Sequence, residues 1–286
     1  MFETTSIKTR SGLTFTADVT GPTGGPLVLL LHGFPESRHS WRVALPALAG
    51  AGFRAVAPDQ RGYSPGARPD PADLSNYAFE KLIADAIDIA AAAGYDGKRF
   101  HLVGHDWGGQ VAWGVAGAHP ERLASLTILS RPHPKSFRRA LLKEDGDQKH
   151  RSRHHRAFLE PETGSLLLKD NAQRLRDGLF GQGVPEAALK DHLSVLGNPE
   201  ALEAALAWYR SNKGLAADIG TIKVPTLYIW GDADATVGPD AAHGTAEFIG
   251  AAYAMEVLPG VGHFVMDQAS ARATELLLAH LKKHPV

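Results

Sequence analysis

Apolar residues along this chain fall into two rhythms. Leu27 to Leu31 is an unbroken aliphatic run of strand length, the pattern of a strand buried on both faces. Phe53 to Ala57, Arg99 to Val103, Leu123 to Leu129, Thr226 to Trp230 and Tyr253 to Leu258 read as further strands. Ile7 to Arg10 and Leu13 to Val19 flank Ser11-Gly12 and predict a hairpin. Between Asn76 and Gly94 the spacing changes. Phe79, Leu82, Ile83, Ala86, Ile87 and Ala90 recur at helical intervals, and Gly94 ends the helix. Gly109 to Ala118 and Thr274 to Lys282 are also helix-compatible. Strands alternating with helices predict a mostly parallel central sheet, flanked by helices and joined by right-handed crossovers.

From Pro132 to Lys223 the strand signals vanish. Polar, helix-compatible stretches replace them, broken at Gly164, at residues 181–185 and at Gly197-Asn198-Pro199. This predicts a helical cap over residues 132–222, inserted into an α/β core made of residues 1–131 and 223–286.

Composition narrows the function. The 286 residues are 44% hydrophobic and 21% charged, with a net charge of −1. That balance suits a globular enzyme-sized domain and gives no footprint for nucleic acid or a charged membrane. The chain has no cysteine, which excludes disulfides and thiol chemistry. Residues 1–10 lack the apolar core of a secretory signal, and no run approaches the roughly 20 residues that span a bilayer. A cytoplasmic monomer or homodimer is expected.

The chemistry concentrates at Gly104-His105-Asp106-Trp107-Gly108. This is the G-x-S-x-G shape of a nucleophile elbow, set between a strand and a helix, with Asp in place of Ser. A carboxylate there suits attack on strained or activated sp3 carbon, which points to epoxides or carbon–halogen bonds. The resulting ester needs a base to activate water and an acid to orient that base. His263 lies in a loop after the Tyr253–Leu258 run, and Asp232 and Asp234 lie in the loop before that run. Asp234 is preferred because one more turn residue lets its side chain reach over the sheet edge. After Leu27–Leu31 comes His32-Gly33-Phe34-Pro35. The N–H near Phe34 can join that of Trp107 as an oxyanion hole, with His32 orienting the turn. Phe34 and Trp107 are expected to wall the substrate pocket.

These motifs resemble the α/β-hydrolase superfamily, specifically its epoxide hydrolase branch. The resemblance covers nearly the whole chain. It rests on His32-Gly33-Phe34-Pro35-Glu36-Ser37 with Ser40-Trp41-Arg42, on residues 58–64 (Pro-Asp-Gln-Arg-Gly-Tyr-Ser), and on residues 104–109. It implies the α/β-hydrolase fold, Asp106 as nucleophile, Asp234 and His263 as relay partners, and Pro35 as cis. The nucleophile–acid–base chain order agrees. Residues 59–64 are expected to shape the pocket wall. The family draws its leaving-group proton from cap residues, usually two tyrosines. Ala207-Trp208-Tyr209-Arg210 resembles the second tyrosine motif, and His154 occupies the position of the first.

The implied substrate is a small apolar epoxide, with no cofactor. A dehalogenase acting on haloalkanes would share the nucleophile, with Trp107 as halide donor. Many such enzymes have Asn where Phe34 stands. A non-catalytic ligand receptor on this fold is a third reading, although such proteins often lose a triad member. His150 and His154 are spaced as metal ligands on a helix but lack the intervening carboxylate of H-E-x-x-H, so no metal is expected. The basic run Lys149 to Arg156 is read as a solvated cap face.

Overall fold

In a β-strand successive side chains leave on opposite faces, so an all-apolar strand needs a cover on both sides. Leu27–Leu31 receives that cover in the computed structural model, which describes residues 2–213 and 218–286. Leu27, Leu29 and Leu31 pack with Leu82, Ile89, Val111 and Val115 on one face. Val28 and Leu30 pack with Leu45, Leu48, Leu277 and Leu281 on the other. Burying each such leucine contributes about 1.5–3 kcal/mol.

The strands are β1 (Glu3–Lys8), β2 (Thr14–Thr20), β3 (Leu27–Leu31), β4 (Arg54–Pro58), β5 (Phe100–His105), β6 (Leu123–Leu129), β7 (Thr226–Gly231) and β8 (Tyr253–Leu258). They form an eight-stranded sheet in the order β1-β2-β4-β3-β5-β6-β7-β8. β2 pairs antiparallel with β1 and β4, and all other pairings are parallel. Helices Ala44–Gly50 and Ser270–Lys283 cover one face, and Phe79–Ala90 and Asp106–Ala118 the other. This is the mostly parallel, helix-flanked sheet that the alternation predicts, in the α/β-hydrolase arrangement that the family resemblance implies. Gly94 closes the Phe79 helix at φ 96°, a conformation open to glycine.

Between β6 and β7 the described residues form helices, including Pro134–Leu142, Thr163–Phe180, Glu186–Leu196 and Pro199–Ser211. Residues 214–217 of the expected cap lie outside the described residues. Pro199 opens the last of these helices at its first turn, and the Asn198 side chain accepts a bond from the Ala201 N–H at 2.9 Å. Its Ala201–Tyr209 stretch is buried except for Glu203. The Thr163 helix is interrupted at Lys169–Ala172, where Asp170, Asn171 and Ala172 take φ of 53°, 58° and 59°. No helix among the described residues is long and apolar enough to cross a membrane.

Candidate active site

β5 runs to His105, and the next residue starts a helix. The reversal puts Asp106 at φ 46°. A non-glycine residue held there costs on the order of 1–3 kcal/mol, so the surroundings must enforce it. They do so by close backbone approach. A Cβ on Gly104 would lie 2.3 Å from the Gly108 carbonyl oxygen, and one on Gly108 would lie 2.2 Å from that of Leu31. The helix therefore begins three residues before Gly109, because the two glycines let its first turn press onto β3 and β5.

The Asp106 carboxylate is buried and held at both oxygens. The Phe34 N–H donates to Oδ1 at 3.0 Å, and His263 Nε2 lies 3.6 Å from Oδ2. The Phe34–Pro35 peptide bond is cis. Across the ring, His263 Nδ1 faces Asp234, 2.9 Å from Oδ2 and 3.1 Å from Oδ1. Asp234 is fully buried, and its Oδ1 also accepts from the N–H groups of Thr236 and Val237 at 2.7 and 2.9 Å. Asp232 is exposed and turns away to the Gly260 N–H at 2.7 Å. Of the two acids, Asp234 is the one that meets the histidine.

Electrostatics follow from this packing. Burial disfavours charge on His263, but Asp234 and Asp106 outweigh it and raise the imidazole to about 10. Burial would likewise raise Asp106, yet the facing His263, with Arg131 and His105, holds it well below the usual carboxylate range. The resting site is thus a carboxylate–imidazolium–carboxylate row.

A cavity of about 300 Å³ opens over this row, bordered by Phe34, Pro35, Asp106, His154, Tyr209 and His263. Tyr209 is pinned between aromatic rings, 4.9 Å from Phe158, 5.0 Å from Trp107 and 5.5 Å from Phe34, centroid to centroid. Burial, reinforced by Asp106, pushes its hydroxyl well above its ordinary range, so it stays a proton donor. Burial lowers His154, against the pull of Asp106. Its Nδ1 lies 3.1 Å from the Arg151 carbonyl, which leaves the other ring nitrogen free.

Three expectations change, while His32, expected to orient the turn, sits within it. His32 is fully buried away from the cavity: Nδ1 lies 2.9 Å from the Gly33 carbonyl and Nε2 accepts from the Gln60 N–H at 3.2 Å. It holds the turn and does not meet substrate. Residues 59–64 are not cavity wall, because their side chains are consumed internally. Asp59 pairs with Arg38 at 2.5 Å, Arg61 with Asp85 at 2.6 Å, and Tyr63 packs on His32. Trp107 borders a neighbouring cavity, not the one over Asp106. Nor is the Lys149–Arg156 run simply a solvated face. Arg151 within it and Gln148 just before it donate to the carbonyls of Asp234 and Thr236 at 2.5 and 2.7 Å, and so clamp the loop that carries Asp234. His150 lies 2.6 Å from Arg153 Nη1, unsuited to sharing a metal with His154.

Sequence reasoning misses a second buried pair. His105 Nδ1 lies 2.5 Å from Glu36 Oε2, and its Nε2 lies 2.8 Å from the His263 carbonyl. A ring with acceptors at both nitrogens carries both protons. Glu36 is opposed by burial but held at about 2 by His105. Nearby, His192 of the inserted helices reaches Ser37 and Asp267, both at 3.0 Å, and Arg42 completes Asp267 at 3.0 Å. Ligand atoms of Glu36, His192 and Asp267 lie within 4.8 Å of one another. His105 meets Glu36 Oε2, Ser37 meets His192 and Arg42 meets Asp267, whereas Glu36 Oε1 has no partner among the described residues; the cluster reads as a largely hydrogen-bonded anchor. No single residue in the sequence signals it. A wider depression of about 800 Å³ near Arg139 and Lys143 has a rim of exposed ion pairs, so volume alone does not mark the site.

Residues 26–270 match the family described as the alpha/beta hydrolase fold. Epoxide hydrolase 4 of Mus musculus is 31% identical over 96% of this chain and 77% of its own. Epoxide hydrolase A of Mycobacterium tuberculosis is 32% identical over 91% and 92%. The crystal structure of epoxide hydrolase A from Mycobacterium thermoresistibile superposes with a TM-score of 0.80 at 28% identity, covering both chains completely.

Proposed function

Because the chain belongs to the alpha/beta hydrolase fold family, and within it is an epoxide hydrolase-like enzyme, we propose that it opens small epoxides to vicinal diols through an ester on Asp106. One observation carries this reading. Asp106 Oδ1 is capped by the Phe34 N–H, while Oδ2 lies against His263 beneath the buried hydroxyl of Tyr209.

In the first step Oδ2 attacks a ring carbon and the carbon–oxygen bond breaks. The nascent alkoxide takes the Tyr209 proton, with His154 as second donor. The negative charge on Asp106 vanishes into the ester, and with it one of the two carboxylates that keep His263 protonated. The imidazolium then gives its proton to the Tyr209 phenolate and becomes a base. In the second step neutral His263, oriented by Asp234, takes a proton from water as the water oxygen attacks the ester carbonyl. The oxyanion forms on Oδ1, at the Phe34 N–H, with the Trp107 N–H as second donor from the unsatisfied first turn of its helix. The departing alkoxide takes the proton from His263 and leaves as diol. The acid regenerated on Asp106 returns a proton to His263, which restores the resting row.

The inserted helices act as a cap, supplying Tyr209 and His154 from above. The dehalogenase reading is weaker, because the Trp107 indole is already engaged with the Tyr209 ring. The receptor reading has no support from a site whose acid, base and nucleophile align.

A single turnover in heavy-oxygen water tests the mechanism. Label should enter the Asp106 carboxylate, because water attacks the ester carbonyl. Label found wholly in the diol would mean direct attack by water on the epoxide.

A further inference from the structure

Behind Trp107 and Tyr209 lies a second cavity of about 330 Å³, and Tyr209 borders both cavities. Its floor is apolar, with Trp107, Phe137, Leu141 and Leu159. Its polar lining is otherwise one-sided. Arg131, Arg138, Arg156 and Lys213 border it, and no carboxylate does among the described residues.

Arg131 is the unusual member. It is only 8% exposed, and its guanidinium lies 4.8 Å from the Phe137 ring centre and 5.9 Å from that of Trp107. Its Nε donates to Gln110 Oε1 at 3.0 Å, and no carboxylate pairs with it among the described residues. The Gln110 amide nitrogen, on the same wall, has no acceptor. A guanidinium is always charged and costly to bury; Asp106 favours that charge from a distance, but no carboxylate bonds it among the described residues. Cations on nearby faces are paired: Lys135 with Asp218, Arg139 with Glu247, Lys143 with Asp240. Among the described residues, those lining the cavity have no salt-bridge partner.

We infer that this second cavity is the subsite for a carboxylate on the substrate, held by Arg131, so that the enzyme acts on epoxides whose tail ends in an acid. The inference rests on the epoxide reading above. The reacting ring sits between Asp106 and Tyr209. The tail passes the Tyr209 edge onto the Trp107 and Phe137 faces, and the acid meets the guanidinium fork. Arg138, Arg156 and Lys213 at the rim attract the anion without fixing its position.

The test compares an aliphatic epoxide bearing a free carboxylate with its methyl ester. For the wild type we expect KM to be roughly tenfold or more lower for the acid, the usual scale of a charge-assisted bond. In Arg131→Gln the two substrates should converge. Arg156→Gln combined with Lys213→Gln should shrink the acid-over-ester preference about two- to threefold, and an unchanged preference overturns the subsite if Arg131→Gln does not fold. Equal KM values in the wild type, with the ester turned over, overturn the subsite and leave the epoxide reading standing. Calorimetry with hexanoate and hexanamide separates the converse: preferential binding of hexanoate, lost in Arg131→Gln, supports the subsite even if no epoxide is turned over.

Discussion

Two buried carboxylate–imidazole pairs stand side by side in this molecule, their rings 5.0 Å apart. Asp234–His263 and Glu36–His105 are built from the same chemical parts, and both sets are almost wholly buried. They differ in where the second ring nitrogen goes. That of His263 faces the Asp106 carboxylate inside the cavity. That of His105 is spent on the His263 carbonyl. A shared composition therefore gives one ring able to exchange protons with a reacting group and one that fixes the loop carrying it. The lesson is that a histidine's role is set by its free nitrogen, not by its carboxylate.

The largest expected effect tests what the free nitrogen faces. Asp106→Ala should lower turnover on the order of 10⁴-fold or more, with an unchanged circular dichroism spectrum. His263→Gln should come next and differ in kind. Alkylation needs only the carboxylate and a stabilised leaving group, so the ester should accumulate. Intact mass should rise by the whole mass of the epoxide. A rise by the alkyl portion alone, from haloalkanes and never from epoxides, would reverse the ranking of the two enzyme readings.

The comparison sharpens at the acids. Asp234→Asn should slow turnover about 10³–10⁴-fold, as expected when a catalytic imidazole loses its orienting carboxylate. Asp232→Asn should change it less than about twofold, since Asp232 is exposed and its side chain accepts from the Gly260 N–H, away from His263. Glu36→Gln should act mostly on stability. Breaking one side of a buried pair costs about 3–5 kcal/mol, so thermal melting should fall well before kcat does. A rate loss from Glu36→Gln matching that of Asp234→Asn would make the two pairs equivalent and end the distinction.

The smallest effect is in pH. His263 is raised from 6.5 to about 10 in the folded protein. Its ion pairing therefore stabilises the fold fully below about pH 6.5 and is lost as pH rises through about 10. Melting temperature should decline over that interval, and decline less in His263→Gln. Rapid-quench measurements should show alkylation nearly flat from pH 6 to 9. Ester hydrolysis should rise with pH through an apparent pKa below that of the free enzyme.

Much of this was legible in the sequence for a definite reason. β3 and β6 match their runs residue for residue, because strands buried in a parallel sheet leave largely hydrophobic segments; the edge strand β8 matches in its bounds although it is mostly not buried. The elbow, Phe34, Asp234 and His263 were legible because their chemistry rides on turns at strand ends, and Tyr209, on a helix of the insert, only because its motif resembles that of the family. What was hidden depends on distant partners. Glu36 and His105 are 69 residues apart, and His192 and Asp267 are 75 apart. Arg131 follows a strand with no local motif, and only the fold brings Gln110 and Trp107 around it. The helix Ala44–Gly50 is short and carries Pro46 in its first turn, where proline is tolerated but reads as a breaker.

The His192 contact has a mechanical meaning. This residue of the inserted helices is bolted at both ring nitrogens to the sheet domain, through Ser37 on one side and Asp267 on the other. Lifting the insert there would strand a buried acid beside Arg42. The Thr163–Phe180 helix makes no such contact among the described residues. It is broken by left-handed turns and lends Leu175 and Gly178 to the mouth of the cavity. His192 is therefore a fixed point of the insert on the sheet domain, and amide hydrogens at residues 169–178 should exchange with solvent long before those around it.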